Sequence, residues 1–431
     1  MKSNSIMRKI YSDASAIVEA IQKEQLKLTE VCLPFLAAIE QFEMDINAFV
    51  AFDPAVIEHQ IKANAINPTQ GILAGIPIGI KDIIDTVDYP TEYYSAIYRS
   101  NWPSRDAHVV TLLKQAGAVI MGKTHTTEFA YMHTGPTRNP YDLHRTPGSS
   151  SAGSAAGVAA GFFPLALGTQ TAGSLIKPAS YCGLCAFKPT FGLVSLEGIK
   201  PLAPSFDTLG WFGHSVRDLE LLARVLIPNM PEKERKNRTL KLVFCQMPGW
   251  DRVEPEVEKA LSEVVESLRI KGHIVEKVIL PVEWAKGYDA HQIINDCETS
   301  RSLWKEKQQH GALLSPEMQA LFLRSQSISW AEESAAHNQL AELRPAVEKM
   351  VGSFDIVLTA STANVAPIGL AQTGSSDFIK FWTAFGLPQI NLPVFITPGA
   401  LPIGLQLIGR WRYDAQLLAD AEQLHRDMQR R

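Results

Sequence analysis

The stretch DAHVVTLLKQAGAVIMGKT, residues 106–124, contains the two sequence periods that decide the fold. Its first part, 106–117, has apolar residues at helical spacing and ends at Gly117, which is typical of a short amphipathic helix. Its second part, 118–124, is a short apolar run that favours a buried strand. Because a helix followed directly by a strand is the building unit of α/β proteins, this stretch predicts an α/β fold.

The alternation of helix and strand patterns continues over most of the chain. Residues 255–272 place Val257, Leu261, Val264 and Leu268 on one helix face and end at Gly272. Further strand patterns and a closing helix pattern are found at 164–168, 241–245, 273–280, 354–361, 388–394, 401–409 and 414–429. There are no repeats or low-complexity linkers. We therefore predict a single large domain with a central mixed, mostly parallel β-sheet that helices cover on both faces.

The composition is that of an ordinary soluble protein. Of the 431 residues 46% are hydrophobic and 20% are charged, and the net charge of −4 gives no electrostatic sign of nucleic acid or of an anionic membrane as a partner. The least polar run, 152–168, is interrupted by Pro164 and is shorter than the roughly twenty strongly apolar residues of a membrane span. We expect a cytoplasmic protein, with this run forming a buried helix and a strand.

Two local patterns suggest chemistry that their surroundings do not support. Cys182 and Cys185 form one C-x-x-C, but no second such motif follows, and five thinly spread cysteines do not make a disulfide framework. Residues 117–124 match the phosphate-loop pattern, yet they follow a helix and consist of strand residues, the reverse of a phosphate loop. We expect structural thiols, no metal site and no cofactor.

The segment GSSSAGS, residues 148–154, allows several interpretations. Serine and glycine favour turns, and Ser154 or a neighbour could cap the helix that follows. The segment also resembles the nucleophile elbow of α/β hydrolases, with Ala152 in the last place. That elbow follows a strand, whereas residues 139–147 contain two prolines and no strand pattern, which argues against such a hydrolase.

A second loop, within residues 164–180, offers a nucleophile. The strand there ends in the small residues Thr171, Ala172 and Gly173, whose backbone N–H groups could converge on one point, as an oxyanion hole requires. Ser174 stands at the edge of this turn and would need a base. Lys81 lies in an apolar strand whose alternation sends Asp82 to the opposite face, so burial could keep its amine neutral. Snorkelling of this lysine to the surface is the alternative.

Three segments, 75–86, 146–161 and 167–192, together resemble the amidase signature family. The resemblance implies a Ser–cis-Ser–Lys triad that hydrolyses amides through an acyl-enzyme. Lys81 would be the base, Ser174 the nucleophile and Ser150 the bridging serine, with a cis peptide bond before it. The oxyanion N–H groups would come from Thr171, Ala172, Gly173 and Ser174. Segments 205–213, 385–394 and 401–409 look like the family as well.

The resemblance also implies a division of the chain. It predicts one amidase domain over 1–431, with an N-terminal helical segment at 1–65 and a catalytic core at 70–215. A polar, helical excursion would cover 283–350, and 351–431 would return to the sheet.

Departures from the family pattern bear on the substrate. Ser149 and Ala152 replace glycines, and Gln170 replaces an acid. The loop looks closest to the malonamidase-type branch, in which an arginine binds a substrate carboxylate. Here Lys177 supplies the cation without the two-pronged geometry of arginine. By the same resemblance, Lys177 and Thr169 would contact the substrate.

We therefore expect an amidase acting on a small carboxylic acid amide, with a carboxylate-bearing, malonamate-like substrate left open. One alternative is the glutaminase (A-type) subunit of a tRNA-dependent amidotransferase, which needs partner proteins. Another is a non-catalytic binding protein on the same fold. A homodimer is left open.

Overall fold

The computed structural model describes residues 13–66, 71–233, 237–395 and 401–429. The helices are α1 (Ala14–Gln22), α2 (Leu33–Ile46), α3 (Pro54–Ile66), α4 (His108–Gln115), α5 (Ala152–Ala160), α6 (Ile176–Tyr181), α7 (Val216–Leu226), α8 (Pro255–Ile270), α9 (Lys286–Ser302), α10 (Trp304–His310), α11 (Pro316–Ser327), α12 (Trp330–Gly352), α13 (Asp377–Ala384) and α14 (Asp414–Gln429). The strands are β1 (Phe49–Ala51), β2 (Pro77–Lys81), β3 (Val119–Thr124), β4 (Leu165–Gln170), β5 (Cys185–Lys188), β6 (Thr208–Gly213), β7 (Lys241–Gln246), β8 (Ile274–Ile279), β9 (Ile356–Ala360), β10 (Gln389–Phe395) and β11 (Pro402–Ile408).

All of these strands form one sheet, in the order β1-β3-β2-β4-β6-β5-β10-β11-β9-β7-β8. The prediction of a single α/β domain with a mixed sheet flanked by helices is confirmed. The expectation of a mostly parallel sheet is wrong. β2 is parallel to β3 and β4, and β7 is parallel to β8 and β9, but the other neighbouring pairs among the described strands are antiparallel.

The connection between β10 and β11 shows the physical reason for this difference. Only residues 396–401 separate the two strands, whereas a crossover between parallel strands takes a dozen or more residues. β11 therefore returns antiparallel to β10, with Gln389 opposite Ile408. Strand patterns reveal where strands lie, but the direction of a strand depends on connections and on order in the sheet.

The stretch 106–124 folds as predicted, into α4 followed by β3, and every residue of β3 is buried. Helix α8 likewise buries Val257, Leu261, Val264 and Leu268 on one face. The lysine of the phosphate-loop match, Lys123, is fully buried, and its ammonium lies 3.2 Å from a carboxylate oxygen of Asp82. These side chains belong to the core.

The least polar run, 152–168, forms α5 and the first part of β4, as expected for a buried helix and a strand. No helix in the described part of the chain is long and apolar enough to cross a membrane. The two thiols of the C-x-x-C are buried and free. Cys182 contacts the carbonyl of Pro147 and Cys185 that of His214, each at 3.7 Å.

Residues 286–352 contain α9 to α12, four helices in succession. α9 is the central element of this group, because it packs against α11, α12 and α13. This helical region is inserted between β8 and β9, which both pair with β7. The chain thus leaves the sheet at β8, on one side of β7, and returns to it at β9, on the other side of β7.

Candidate active site

Lys81 is the last residue of β2 and lies between β3 and β4 in the sheet. Strand alternation separates it from its neighbour Asp82, which pairs with Lys123 instead. The Lys81 side chain is 0% exposed, so it does not snorkel to the surface. Its amine donates hydrogen bonds to Ser150 Oγ at 2.6 Å and to Thr169 Oγ1 at 2.8 Å.

The electrostatic surroundings of Lys81 favour a neutral amine. Burial lowers the pKa of Lys81 well below its ordinary value, and the nearby carboxylate of Asp207 only partly opposes this shift. The two hydrogen-bond partners of the amine are neutral hydroxyl groups. The neutral form of this lysine, which can accept a proton, is therefore favoured relative to that of an exposed lysine.

The four serines of 148–154 are all buried, and the structure gives each a different setting. The peptide bond between Ser149 and Ser150 is cis, as the family resemblance implies. Ser150 contacts Lys81, whereas Ser151 contacts the backbone of β4 at Thr169. Ser154 donates to the carbonyl of Leu167 at 2.7 Å.

The helix-cap interpretation of this segment is wrong. Ser151 is the residue before α5, and its side chain makes no capping hydrogen bond. Ser154 lies inside the helix and contacts the sheet. The segment is therefore a buried connection between the sheet and α5, not a solvated turn.

The loop after β4 carries Ser174, which is half-buried and lies two residues before α6. Gln170, the last residue of β4, accepts hydrogen bonds from the backbone N–H groups of Leu175 and Ile176 at 3.0 and 3.1 Å. These contacts attach the start of α6 to the end of β4.

The backbone of this loop leaves donors free. The backbone N–H groups of Ala172, Gly173 and Ser174 donate to no described residue. The carbonyls of Thr171, Ala172 and Gly173 all accept hydrogen bonds, from the His291 ring, the Thr383 hydroxyl and the Lys177 backbone. A turn with occupied carbonyls and free N–H groups has the donors that a developing oxyanion needs.

Two further side chains contact Thr171. Its hydroxyl donates to Asp207 at 2.6 Å, and burial raises the pKa of that carboxyl to about 6. Its carbonyl lies 2.9 Å from Nε2 of His291, whose ring stacks on Phe206. Burial lowers the pKa of His291 to about 4, so the ring is neutral at ordinary pH.

The model of the amidase family matches residues 30–418 of the chain. The chain belongs to the amidase signature family. It is 29% identical to the A-type subunit of a glutamyl-tRNA(Gln) amidotransferase from Alkaliphilus metalliredigens, with 94% of each chain covered. It is 31% identical to the corresponding protein from Chloroflexus aggregans, again with 94% of each covered. A crystal structure of an amidase superposes with a TM-score of 0.87 at 26% identity, covering 96% of this chain and 99% of the other.

Membership in the amidase signature family gives the reaction class. The protein is a hydrolase of amide C–N bonds. The relatives cover the described chain almost from end to end, so this assignment concerns the whole domain.

Thr169 and Lys177, the two residues predicted to contact the substrate, have different partners in the amidase. Thr169 holds the amine of Lys81, so its hydroxyl belongs to the immediate surroundings of the proposed base. Lys177 is 3% exposed, and its ammonium donates to the Thr373 hydroxyl at 3.2 Å and to the Gly374 carbonyl at 2.9 Å. Burial lowers the pKa of Lys177 to about 8. Both partners of the Lys177 ammonium lie in the segment that leads into α13.

The candidate site also contains residues that the sequence did not single out. Asp207 lies in the family-like segment 205–213, which is the only signal that could have pointed to it. His291 and Thr383 stand in polar or mixed helical sequence, without a motif. They reach the loop of Ser174 from α9 and α13, more than a hundred residues along the chain.

Proposed function

We propose that this amidase hydrolyses small carboxylic acid amides through an acyl-enzyme on Ser174. The observation that carries the proposal is the buried contact of 2.6 Å between Lys81 and Ser150, beside the loop of Ser174. A buried amine without a contacting carboxylate can act as a base, and a serine hydroxyl can relay a proton because it both donates and accepts hydrogen bonds.

The proposed reaction begins when Ser174 Oγ attacks the amide carbonyl carbon. The proton of Ser174 passes to Ser150, which gives its own proton to the neutral amine of Lys81. The carbonyl oxygen becomes an oxyanion and accepts from the free N–H groups of the loop. The relay then returns the proton to the amide nitrogen, the C–N bond breaks, and ammonia or an amine leaves.

Water completes the proposed cycle. It attacks the acyl–Ser174 ester while the same relay removes its proton, and collapse of the second oxyanion releases the carboxylate and restores the Ser174 hydroxyl. One lysine thus serves as base and then as acid in each half of the reaction. Lys81 and the two serines provide every proton transfer of this cycle.

A second candidate is the glutaminase component of a tRNA-dependent amidotransferase. The names of the relatives favour it, because both align with this chain over 94% of each sequence. The two candidates share the chemistry and differ in substrate and in partners. Ammonia release from glutamine, with and without the partner proteins of such an amidotransferase, separates them: partner-dependent release favours the amidotransferase component, and release from simple amides alone favours a freestanding amidase.

A preference for substrates that carry a carboxylate is a separate prediction. Hydrolysis rates over a panel that pairs neutral amides with carboxylated analogues, such as malonamate, measure this preference directly. If Lys177 binds the carboxylate, Lys177→Ala loses activity selectively on the carboxylated members. An equal change on both members of each pair would contradict the prediction.

Labelling by a fluorophosphonate tests the nucleophile. Ser174 Oγ would form a P–O bond as fluoride leaves, so the wild-type protein should be labelled stoichiometrically and Ser174→Ala not at all. Replacement of a catalytic serine costs about 10⁶ in kcat in a serine protease, and we expect amide turnover to be lost here as well. An unlabelled wild-type protein would support the non-catalytic alternative.

A further inference from the structure

We propose that His291 and Thr383 are positioning residues that set the direction of two oxyanion N–H groups. The inference rests on the proposed function, because it concerns how the loop of Ser174 would stabilise an oxyanion. Neither residue belongs to the proton relay. Each acts on the loop from a helix, His291 from α9 and Thr383 from α13.

His291 contributes one hydrogen bond to the loop. Since a carbonyl oxygen only accepts, the ring must carry its proton on Nε2, which donates to the Thr171 carbonyl at 2.9 Å. Stacking on Phe206, with ring centres 4.3 Å apart, holds the imidazole in this orientation. The other nitrogen, Nδ1, is buried and finds no partner among the described residues.

That unpartnered nitrogen makes His291 an expensive donor. A buried polar atom without a hydrogen bond destabilises the folded protein. An apolar side chain would fill the same space without this cost and would still stack on Phe206. A histidine at this position is therefore understandable if its single hydrogen bond to Thr171 serves the reaction.

Thr383 contributes the second hydrogen bond. Its oxygen accepts from the side-chain amides of Gln170 and Gln389 at 3.0 and 3.1 Å, which leaves its proton for donation. Two carbonyl oxygens can accept this proton: that of Ala172 lies 2.8 Å from Thr383 Oγ1, and that of Ile379 lies 3.1 Å from it. The two glutamines thus leave the hydroxyl proton for a carbonyl, and the Ala172 carbonyl is the nearer one.

Peptide planarity converts these contacts into control of the N–H groups. In a trans peptide the C=O and the following N–H lie in one plane and point in opposite directions. A fixed Thr171 carbonyl therefore fixes the N–H of Ala172, and a fixed Ala172 carbonyl fixes the N–H of Gly173. These are two of the three loop N–H groups that donate to no described residue.

The loop is also held from behind, so its peptides cannot turn freely. A Cβ atom added to Gly173 would lie 2.6 Å from the Cβ atom of Ser376 and 3.2 Å from a methyl group of Ile379. Helix α13 and Ser376, the residue before it, therefore pack closely against the backbone of this loop. Positioning by His291 and Thr383 therefore acts on a backbone that packing already restricts.

The test uses two variants that keep shape and remove the donor. His291→Phe preserves the stacked ring, and Thr383→Val preserves the branched side chain. Each has a variant that restores a donor, His291→Gln and Thr383→Ser. Gln292→Ala, on α9 beside His291 but bonded to Asp296, is the matched control. Thermal unfolding confirms that each variant is folded.

The readouts are the second-order rate of fluorophosphonate labelling, and kcat and KM for the amide that the wild-type protein turns over fastest in the panel. Outright removal of an oxyanion donor costs about 10²–10³ in kcat, so we expect a misdirected donor to cost about 10–100-fold in labelling rate and in kcat. KM should change little, the donor-restoring variants should recover most of the loss, and the control should behave as wild type.

Wild-type rates in folded His291→Phe and Thr383→Val would overturn the inference while leaving the proposed function intact. Equal losses in the donor-free and donor-restoring variants would overturn it as well, because they would indicate a packing role. An unlabelled, inactive wild-type protein would instead refute the proposed function and the inference with it.

Discussion

The part of the sheet around Lys81 and the helical region of α9 to α12 differ in the surroundings of their polar side chains. Around Lys81 the polar groups are buried and joined by short hydrogen bonds between neutral partners. In the helical region the paired side chains are charged: the buried carboxylates of Glu333 and Asp296 pair with Arg301 and Arg324, and both arginines stay half exposed.

Because of this difference, the two regions contribute to the candidate site in different ways. Burial lowers the pKa of Lys81, so the proposed proton relay depends on the buried position of this lysine in the sheet. Solvent-exposed ion pairs contribute only about 0–1 kcal/mol each. The helical region affects the site through individual contacts, of which that of His291 is the clearest.

Of the differences expected between the two regions, the largest concerns the proposed proton relay around Lys81. We expect Lys81→Ala and Ser150→Ala each to lower kcat by about 10²–10⁴, the range that general acid–base catalysis covers. Ser154→Ala is the matched control, because this serine belongs to the same segment, 148–154, but lies inside α5 and contacts Leu167. The measurement is steady-state amide hydrolysis with a thermal melt of each variant. Near-normal kcat in either relay variant would refute the relay.

A pair of glycine substitutions compares packing in the two regions. In Gly153→Ala the new methyl group would lie 2.3 Å from the Ala48 carbonyl oxygen and 2.4 Å from the His125 nitrogen, both backbone atoms. We expect overpacking to lower the free energy of unfolding by about 1–3 kcal/mol.

The matched variant in the helical region is Gly311→Ala. Gly311 has helical backbone angles and open space around it, so an alanine should stabilise the protein by about 0.4–1 kcal/mol. Urea unfolding of both variants measures the contrast. Equal effects of the same sign would show that the two regions do not differ in packing as the structure indicates.

The smallest expected effect is a shift in pH dependence. The proposed relay needs neutral Lys81, so we expect the rate to fall as the pH drops through the pKa of this amine. The Asp207 carboxylate raises that pKa somewhat, against the larger effect of burial. In Asp207→Asn the pKa should fall further, and the acid limb of kcat/KM against pH should move to lower pH. The asparagine oxygen can still accept from Thr171. An unmoved limb, or a move to higher pH, would exclude this coupling.

Several features of the fold and site follow from local sequence. The helix and strand periods of 106–124 and 255–272 predict α4, β3 and α8, because burial on one face imposes those periods. Strand alternation separates Lys81 from Asp82, and the structure pairs Asp82 with Lys123. The motif resemblance adds the cis bond at Ser149–Ser150. What failed was strand direction, which local periods do not encode.

The amino-acid sequence by itself determined the family, the reaction class and the candidate triad, since three motifs in a fixed order contain Lys81, Ser150 and Ser174. Only the tertiary structure decided which groups surround the loop of Ser174. Asp207, His291 and Thr383 reach it from distant parts of the chain, and their contacts depend on how α9 and α13 pack. The physical reason is range: periodicity and motifs record local burial, whereas a hydrogen bond across more than a hundred residues exists only after the layers have assembled.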